Sequence, residues 1–160
     1  MQPEVEIRES DFSIDAEYAR LRGAPGSTGA CVLFTGLVRE WADEAGAQAL
    51  ELEHYPGMTE ASIAAIVGDA RARWQLGTVR VIHRVGRLSQ GEQRVLGGVS
   101  SAHRHDAFAA CEFIMDYLKT RAPIWKKEIC ASAARWVESQ DSDAQAAARW
   151  REPGTNEETT

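Results

Sequence analysis

Apolar and polar residues alternate in patterns that change several times between strand and helix. Val5 and Ile7 alternate with charged residues, which is typical of a short strand. Ser13 is placed to cap a brief helix that runs through Leu21 and ends near Gly23. The amino-terminal segment therefore predicts one strand followed by one helix.

Two strands and a longer helix are predicted next. Residues 29–38 form an apolar, β-branched run bounded by glycine, which predicts a buried strand. Residues 40–48 break every pattern and indicate a mobile loop. Residues 50–55 alternate cleanly and predict a strand with one buried face. Thr59 is placed to cap a helix through Trp74. The apolar positions at helical spacing are Ile63, Ile66, Val67, Ala70 and Trp74.

The second half of the chain continues this mixture. Strands are predicted at residues 79–85 and 94–101, joined through a turn region at residues 86–91. A helix at about residues 103–120 ends before Pro123. The residues expected on its buried face are Ala107, Phe108, Cys111, Ile114, Met115 and Leu118.

Short elements and a tail complete the prediction. Strands are expected at residues 125–130 and 135–138, and a last helix at residues 142–150. Residues 151–160 lack apolar side chains and are expected to be a disordered tail. Because strands and helices mix without a regular strand–helix–strand unit, the pattern predicts the α+β class, in a single domain over residues 1–150.

Composition and charge narrow the class of protein. The 160 residues are 44% hydrophobic and carry a formal net charge of −6, which is ordinary for a globular protein and unfavourable for binding nucleic acid. The first residues are acidic rather than apolar, and the apolar runs are shorter than the ~20 residues that span a bilayer. We therefore expect a cytoplasmic protein that engages neither a membrane nor nucleic acid.

The cysteines indicate neither a metal site nor a disulfide framework. Cys31, Cys111 and Cys130 are odd in number, widely spaced and without zinc-type companions. The first two sit in apolar surroundings, so buried, inert thiols are expected there. His54 and His83 lie within strand patterns, and we expect both to be structural.

Positive charge is concentrated in one short segment. Four of the nine residues from Lys119 to Lys127 are basic and none is acidic, which suggests a small anionic ligand. A cation such as Lys119 in the last turn of a helix is also favoured by the helix dipole alone. Lys126 and Lys127 begin a strand, so only one of them can easily face the same pocket as Lys119. Two ammonium groups in one pocket would lower each other's pKa. The alternative to such a pocket is that the segment forms a solvated basic rim.

Three other basic residues are candidates for binding an anion. His103 and Arg104 fall in the first turn of a predicted helix, whose free N–H groups favour an anion. Arg39 follows a predicted strand and could close over a substrate. For each, the alternative is a solvated side chain. Phe34 and Met115 either line this pocket or belong to the core. No common nucleotide-binding, hydrolase or zinc-protease motif occurs.

Five longer motifs resemble one known family. They are residues 34–39 (FTGLVR), 52–60 (LEHYPGMTE), 81–86 (VIHRVG), 100–108 (SSAHRHDAF) and 113–128 (FIMDYLKTRAPIWKKE). Together they resemble the catalytic large subunits of molybdopterin synthase, in order, from near Pro3 to Trp150. Residues 40–48 and 129–134 match that family only weakly.

The resemblance implies a fold, a reaction and an assembly. The implied fold is an α/β hammerhead with an additional small antiparallel β-sheet region. The implied enzyme is a sulfurtransferase that converts cyclic pyranopterin monophosphate (precursor Z) into molybdopterin, in molybdenum cofactor biosynthesis. Two sulfurs arrive on the thiocarboxylated C-terminus of a small ubiquitin-like sulfur-carrier subunit, so this chain needs no cofactor, metal or reactive cysteine. A homodimer of this chain stands at the centre of a heterotetramer.

The resemblance also implies residue roles. Lys119 and Lys126 match the catalytic lysines. Substrate binding is implied for Arg39, His103, Arg104, Lys119, Lys126, Lys127 and Glu128. Of these, His103 and Arg104 could reach the pocket of the other protomer. Two rival hypotheses are a dimeric regulator that captures a phosphorylated metabolite, and a scaffold that binds a ubiquitin-like protein through strand edges.

Overall fold

Strands and helices follow one another without a repeated unit, as the α+β prediction expected. The computed structural model describes residues 3–39, 47–130, 134–137 and 141–151. These residues form two four-stranded sheets and four helices. In chain order the elements are β1 (Val5–Arg8), α1 (Ile14–Arg22), β2 (Ala30–Leu37), β3 (Ala47–His54), α2 (Met58–Arg73), β4 (Val79–Arg84), β5 (Gly86–Leu88), β6 (Gln93–Ser101), α3 (Arg104–Arg121), β7 (Ile124–Cys130), β8 (Ala134–Val137) and α4 (Asp141–Ala148).

The first sheet separates two layers of helix. Its strand order is β1-β4-β6-β2, with β1 parallel to β4 and the other pairs antiparallel. On one face, Val81 and Val95 pack with residues of α2 and α3 in the main core. On the other face, Ile82 and Leu96 pack against Phe12, beside α1. Because both faces are covered, β4 is buried along its whole length.

The second sheet is antiparallel throughout, in the order β5-β3-β7-β8. It has its own small apolar core, formed by Val38, Leu50, Leu52, Val85 and Leu88. The alternation predicted at residues 50–55 is confirmed, since Leu50 and Leu52 are buried while Glu53 is exposed. This sheet corresponds to the additional small antiparallel region that was expected.

Three side chains expected in the core are exposed. The strand predicted at residues 29–38 exists as β2, but it is an edge strand, and Phe34 and Leu37 are 42% and 50% exposed. Phe108 was expected on the buried face of α3 and is 60% exposed. In that part of the helix only small side chains, such as Ala107 and Ala110, pack inward.

The predicted start of α2 is also wrong. Gly57, with a φ of 85°, is the residue before the helix, and Thr59 lies within its first turn. The Thr59 hydroxyl is buried, accepts a hydrogen bond from the Tyr55 N–H at 2.9 Å and donates one to the Pro123 carbonyl at 2.9 Å. Ser13, by contrast, caps α1 as predicted, through a hydrogen bond from the Ala16 N–H.

Other boundaries differ slightly. The turn region predicted at residues 86–91 contains β5, held by pairing of the buried Leu88 with Leu50. Helix α4 runs from Asp141 to Ala148 rather than over residues 142–150. Most of the predicted loop at residues 40–48, Glu138 and residues 152–160 lie outside the described residues. No helix in the described part of the chain is long and apolar enough to cross a membrane.

Candidate active site

The connection between α3 and β7 brings the basic segment into the fold. Helix α3 ends at Arg121, because Pro123 cannot continue it, and β7 begins at Ile124. Lys119 is therefore in the last turn of α3, where it is partly buried. The hydrogen bond from Thr59 to the Pro123 carbonyl ties this short connection to the start of α2.

The strand register decides which lysine of β7 faces inward. Lys126 pairs with Leu52 and Glu128 with Leu50 across the antiparallel β3–β7 pair. Residues directly opposite in such a pair point to the same face of the sheet. Because both leucines are buried, Lys126 and Glu128 lie on the buried face, where Glu128 is only 9% exposed.

Lys127 lies on the opposite face of the same sheet. It pairs with Glu51 on one side and Trp136 on the other. Its ammonium nitrogen stands 5.1 Å from the centre of the half-exposed Trp136 ring, within the range of a cation–π contact. The structure thus places Lys126 on the side of Lys119 and Lys127 on the other side.

Arg94 joins the lysines from the first sheet, and sequence reasoning missed it. Gly36 pairs with Val95 while Leu37 pairs with Gln93, so Arg94 is one extra residue in β6, a β-bulge. Its charge acts on Lys119 and on Lys126. A single arginine at the start of an apolar strand carries no sequence signal of this kind, since a bulge depends on pairing with β2.

Four cations converge here, and we refer to Arg39, Arg94, Lys119 and Lys126 as the basic cluster. Burial, the largest cause, and the charges of Arg94, Lys119 and Arg39 together lower the pKa of Lys126 to about 8, against the opposing charge of Asp143. Burial also lowers the pKa of Lys119, again with Arg94 and Arg39 acting in the same direction. As expected, the charge of Lys119 lowers the pKa of Lys126. The shift of Lys119 comes instead from burial and the two arginines, and burial is the largest cause for both lysines.

His83 is a neutral neighbour of the basic cluster. It is 7% exposed on β4, and its Nδ1 lies 2.8 Å from the Arg84 carbonyl oxygen. A carbonyl only accepts, so Nδ1 carries the proton and Nε2 keeps a lone pair. Burial lowers the pKa of His83 to about 4, and the charges of Arg94, Lys119 and Lys126 act in the same direction. The imidazole therefore stays uncharged at neutral pH.

His103 and Arg104 are far from this cluster within one chain. His103 is the N-cap of α3 and Arg104 is its first residue, as the sequence predicted, and both are exposed. Lys119 follows Arg104 by fifteen helical positions, which is about 22 Å along the axis at ~1.5 Å per residue. One copy of the chain therefore does not bring His103 and Arg104 next to its own Lys119.

Neither cysteine with a described side chain is suited to nucleophilic chemistry. Cys111 is 4% exposed, and burial raises the pKa of its thiol to about 11. Burial also raises the pKa of Cys31, which is partly exposed. Because the thiolate is the reactive form, the raised pKa values disfavour reaction of both thiols at neutral pH. The prediction of a buried thiol is confirmed for Cys111 and wrong for Cys31. The side chain of Cys130 lies outside the described residues.

Of the two apolar candidates for the pocket wall, Met115 belongs to the core. It is 8% exposed and packs over Gly97, where an added Cβ would come within 2.7 Å of its sulfur. Phe34 instead presents its ring at the surface of the β2 edge.

His54 stands 3.4 Å from a carboxylate oxygen of Glu60 at the start of α2. In the described ranges, no three potential ligands cluster as a metal site would require.

Comparison with known proteins supports one family. The sequence profile of the family described as MoaE protein matches residues 7–121. The molybdopterin synthase catalytic subunit of Vibrio cholerae is 56% identical over 94% of this chain and 99% of its own length.

Solved structures agree with the sequence comparison. The molybdopterin biosynthesis MoaE protein from Burkholderia ambifaria is 45% identical, with a TM-score of 0.79 over 93% of this chain and 98% of that one. Molybdopterin synthase from Staphylococcus aureus is 33% identical, with a TM-score of 0.79 over 86% of this chain and 99% of that one. Sequence, fold and coverage agree, and the chain belongs to the MoaE protein family.

Proposed function

We propose that this protein is the catalytic subunit of a molybdopterin synthase and that its basic cluster holds the anionic reactants. Membership of the family, among relatives that are molybdopterin synthase catalytic subunits, assigns it to sulfur transfer in molybdenum cofactor biosynthesis. The observation that supports an active site at this position is that Arg39, Arg94, Lys119 and Lys126 lie close enough to act on one another electrostatically. Like charges gathered beside a partly buried position favour an anionic ligand.

The substrate class fits this electrostatic arrangement. Precursor Z carries a cyclic phosphate, and the sulfur donor ends in an anionic thiocarboxylate. Arg39 is exposed, so it can reach a ligand that enters from solvent, whereas Lys126 is fixed on the buried face of its sheet. We assign phosphate binding to Arg39 and Lys126. Glu128 belongs to the same face, and Lys127 contributes charge from the other side of the sheet.

The proposed mechanism uses Lys119 for proton transfer. The thiocarboxylate sulfur attacks a carbon of the pterin side chain that carries an oxygen of the cyclic phosphate. The carbon–sulfur bond forms as that carbon–oxygen bond breaks, so the cyclic phosphate opens to a monoester and the sulfur is left acylated by the partner's terminal glycine. Water then cleaves the acyl–sulfur bond, so the partner leaves as a carboxylate and the sulfur stays on the pterin. A second loaded partner delivers the second sulfur to the neighbouring carbon, whose oxygen leaves as water, and the acyl–sulfur bond is again cleaved by water. The lowered pKa of Lys119 eases proton exchange with the acyl intermediate.

The same proposal includes the assembly. We propose a small ubiquitin-like sulfur carrier whose C-terminus enters beside Lys119, and a central homodimer of this chain within a heterotetramer. The distance between the ends of α3 supports contributions of His103 and Arg104 to the other protomer's site. The exposed rings of Phe34 and Phe108 supply apolar surface for such contacts. For the arrangement of the two sheets we propose the α/β hammerhead.

The direct test combines the purified protein with precursor Z and the thiocarboxylated carrier and measures formation of the dithiolene product. We expect product only when all three are present. A carrier with an ordinary carboxylate terminus is the matched control and should give none. Binding of precursor Z without any product would instead favour the regulator hypothesis, and binding of the carrier alone would favour the scaffold hypothesis.

A further inference from the structure

We propose that Arg94 is an additional binding residue of this site, and that its guanidinium binds an oxyanion group of one of the reactants. The inference rests on the proposed function for the identity of the reactants. It assigns a binding role to a residue that the sequence motifs and the resemblance leave out. Three observations support it. They are the β-bulge that directs the Arg94 side chain, the buried Nε that has no hydrogen-bond partner among the described residues, and the charges around the guanidinium.

The β-bulge places Arg94 on the side of α3. In a regular strand, alternation would put Arg94 on the face of Leu96, which packs against Phe12 beside α1. The extra residue interrupts this alternation, so Arg94 and Val95 can point to the same side. Val95 packs in the core with residues of α3, and the charge of Arg94 acts on Lys119 in that helix.

One donor of the Arg94 guanidinium is unsatisfied within the part of the chain that the structure describes. Its Nε is buried and has no hydrogen-bond partner among the residues that the structure describes. A buried donor left without a partner costs on the order of the desolvation of that group, so such donors are rare in native proteins. Arg80 shows the contrast within the same sheet, because its guanidinium pairs with Glu17 and Glu6.

The surroundings of Arg94 add to this cost. Burial lowers its pKa, and the nearby charge of Arg39 does the same, opposed by that of Asp143. A cation that is desolvated and placed beside Lys119 and Lys126 destabilises the free protein. An anion that accepts the Nε–H and neutralises the neighbouring charges removes both penalties at once.

An oxyanion fits this position better than other ligands. The planar guanidinium forms paired hydrogen bonds with phosphate or carboxylate oxygens, which a lysine cannot reproduce. Two reactants supply such a group, namely the cyclic phosphate of precursor Z and the C-terminal thiocarboxylate of the carrier. If Arg94 binds the phosphate, its replacement changes the KM for precursor Z. If Arg94 binds the thiocarboxylate, its replacement changes the Kd for the carrier.

The experiment compares Arg94→Met and Arg94→Lys with the wild type. The matched control is Arg22→Met, which removes an exposed arginine on α1 that belongs to neither the basic cluster nor the proposed binding residues. For Arg94→Met we expect a loss of about tenfold or more in the affinity for one reactant, the size of a charge-assisted hydrogen bond. A raised KM for precursor Z identifies the phosphate, and a raised Kd for the carrier identifies the thiocarboxylate. Arg94→Lys should recover only part of the loss.

Thermal unfolding of the free variants separates binding from structure. We expect the Tm of Arg94→Met to equal or exceed that of the wild type, because an unsatisfied cation has been removed. A lower Tm with unchanged KM and Kd would make Arg94 a structural residue and overturn the inference.

A readout without turnover keeps this inference separate from the proposed function. Inorganic phosphate should shift the 15N resonance of the Arg94 Nε–H in the wild type, identified by its absence in Arg94→Lys. If the wild type forms no dithiolene product but this resonance shifts, the proposed function fails while the oxyanion site stands. If the wild type is active, Arg94→Met matches it in KM and Kd, and phosphate leaves the Arg94 Nε–H resonance of the wild type unshifted, only the inference about Arg94 fails.

Discussion

Lys126 lies directly opposite Leu52 in the β3–β7 pair, so an ammonium group shares a sheet face with a leucine that is 1% exposed. Its neighbour Lys127 points the other way and contacts the ring of Trp136. The register of one strand pair therefore gives two adjacent lysines different environments. Burial follows from this register, and the low pKa of Lys126 follows from burial.

The first prediction concerns the titration of Lys126. The sequence contains three lysines, so their side-chain amines can be resolved by NMR after isotope labelling. We expect the resonance that disappears in Lys126→Arg to titrate with a pKa of about 8. The native state then binds fewer protons than the unfolded state between pH 8 and the ordinary lysine value of 10.5, so stability should rise with pH across that window. A midpoint near 10.5 would contradict the buried placement.

Replacement of Lys119 tests its proposed role in proton transfer. Lys119→Ala should lower kcat for the dithiolene product by about a hundredfold or more, as loss of a general acid or base does. Affinity for the carrier should change little. Tm should not fall, because the variant removes a partly buried cation from among other cations. Near-normal turnover with thiocarboxylated carrier would remove Lys119 from the mechanism.

The buried His83 is expected to make the free energy of unfolding sensitive to acid. Its pKa is about 4 in the folded protein and 6.5 in an ordinary histidine, so the unfolded state takes up a proton first as pH falls. Stability is fully present above pH 6.5 and decreases toward pH 4, by an amount on the order of 3 kcal/mol. His83→Gln should flatten this part of the curve of unfolding free energy against pH. Parallel curves for the two proteins would show that the fold does not lower the pKa of His83.

Mixed dimers test whether His103 and Arg104 serve the other protomer. Lys119→Ala and Arg104→Ala should each be nearly inactive alone. If the two residues act in one site from different chains, a mixed dimer has one intact site, and random pairing restores about a quarter of wild-type activity. Co-expression with separate tags isolates the mixed dimer for assay. No recovery in that dimer would assign both residues to the same chain's site or to none.

Local patterns predicted most elements because they reflect burial along a single element. The start of α1 at Ser13, its end near Gly23 and the alternation in β3 depend on near neighbours and were correctly predicted. Phe108 was misplaced because periodicity shows which residues are apolar but not how wide the covered stripe is. Thr59 was misplaced because its partner, the Pro123 carbonyl, is 64 residues away.

The site shows the same division between local and long-range information. The separation of Lys126 from Lys127 follows from strand alternation and could be predicted. The place of Arg94 in the site could not be predicted, because the direction of its side chain depends on how β2 pairs with β6. The neutral state of His83 also depends on charges from other elements. What the sequence alone does not reveal are the contacts made between strands and between layers.

The Thr59 hydroxyl, by holding the Pro123 carbonyl, limits how Lys119 and Lys126 can respond to each other. Only three residues lie between the end of α3 at Arg121 and Trp125 in β7, and this connection is anchored to α2. The two ammonium groups therefore cannot relax their repulsion by moving the backbone apart. Little reorganisation is then required when a reactant arrives, so the electrostatic work of assembling the site is done during folding rather than during each turnover.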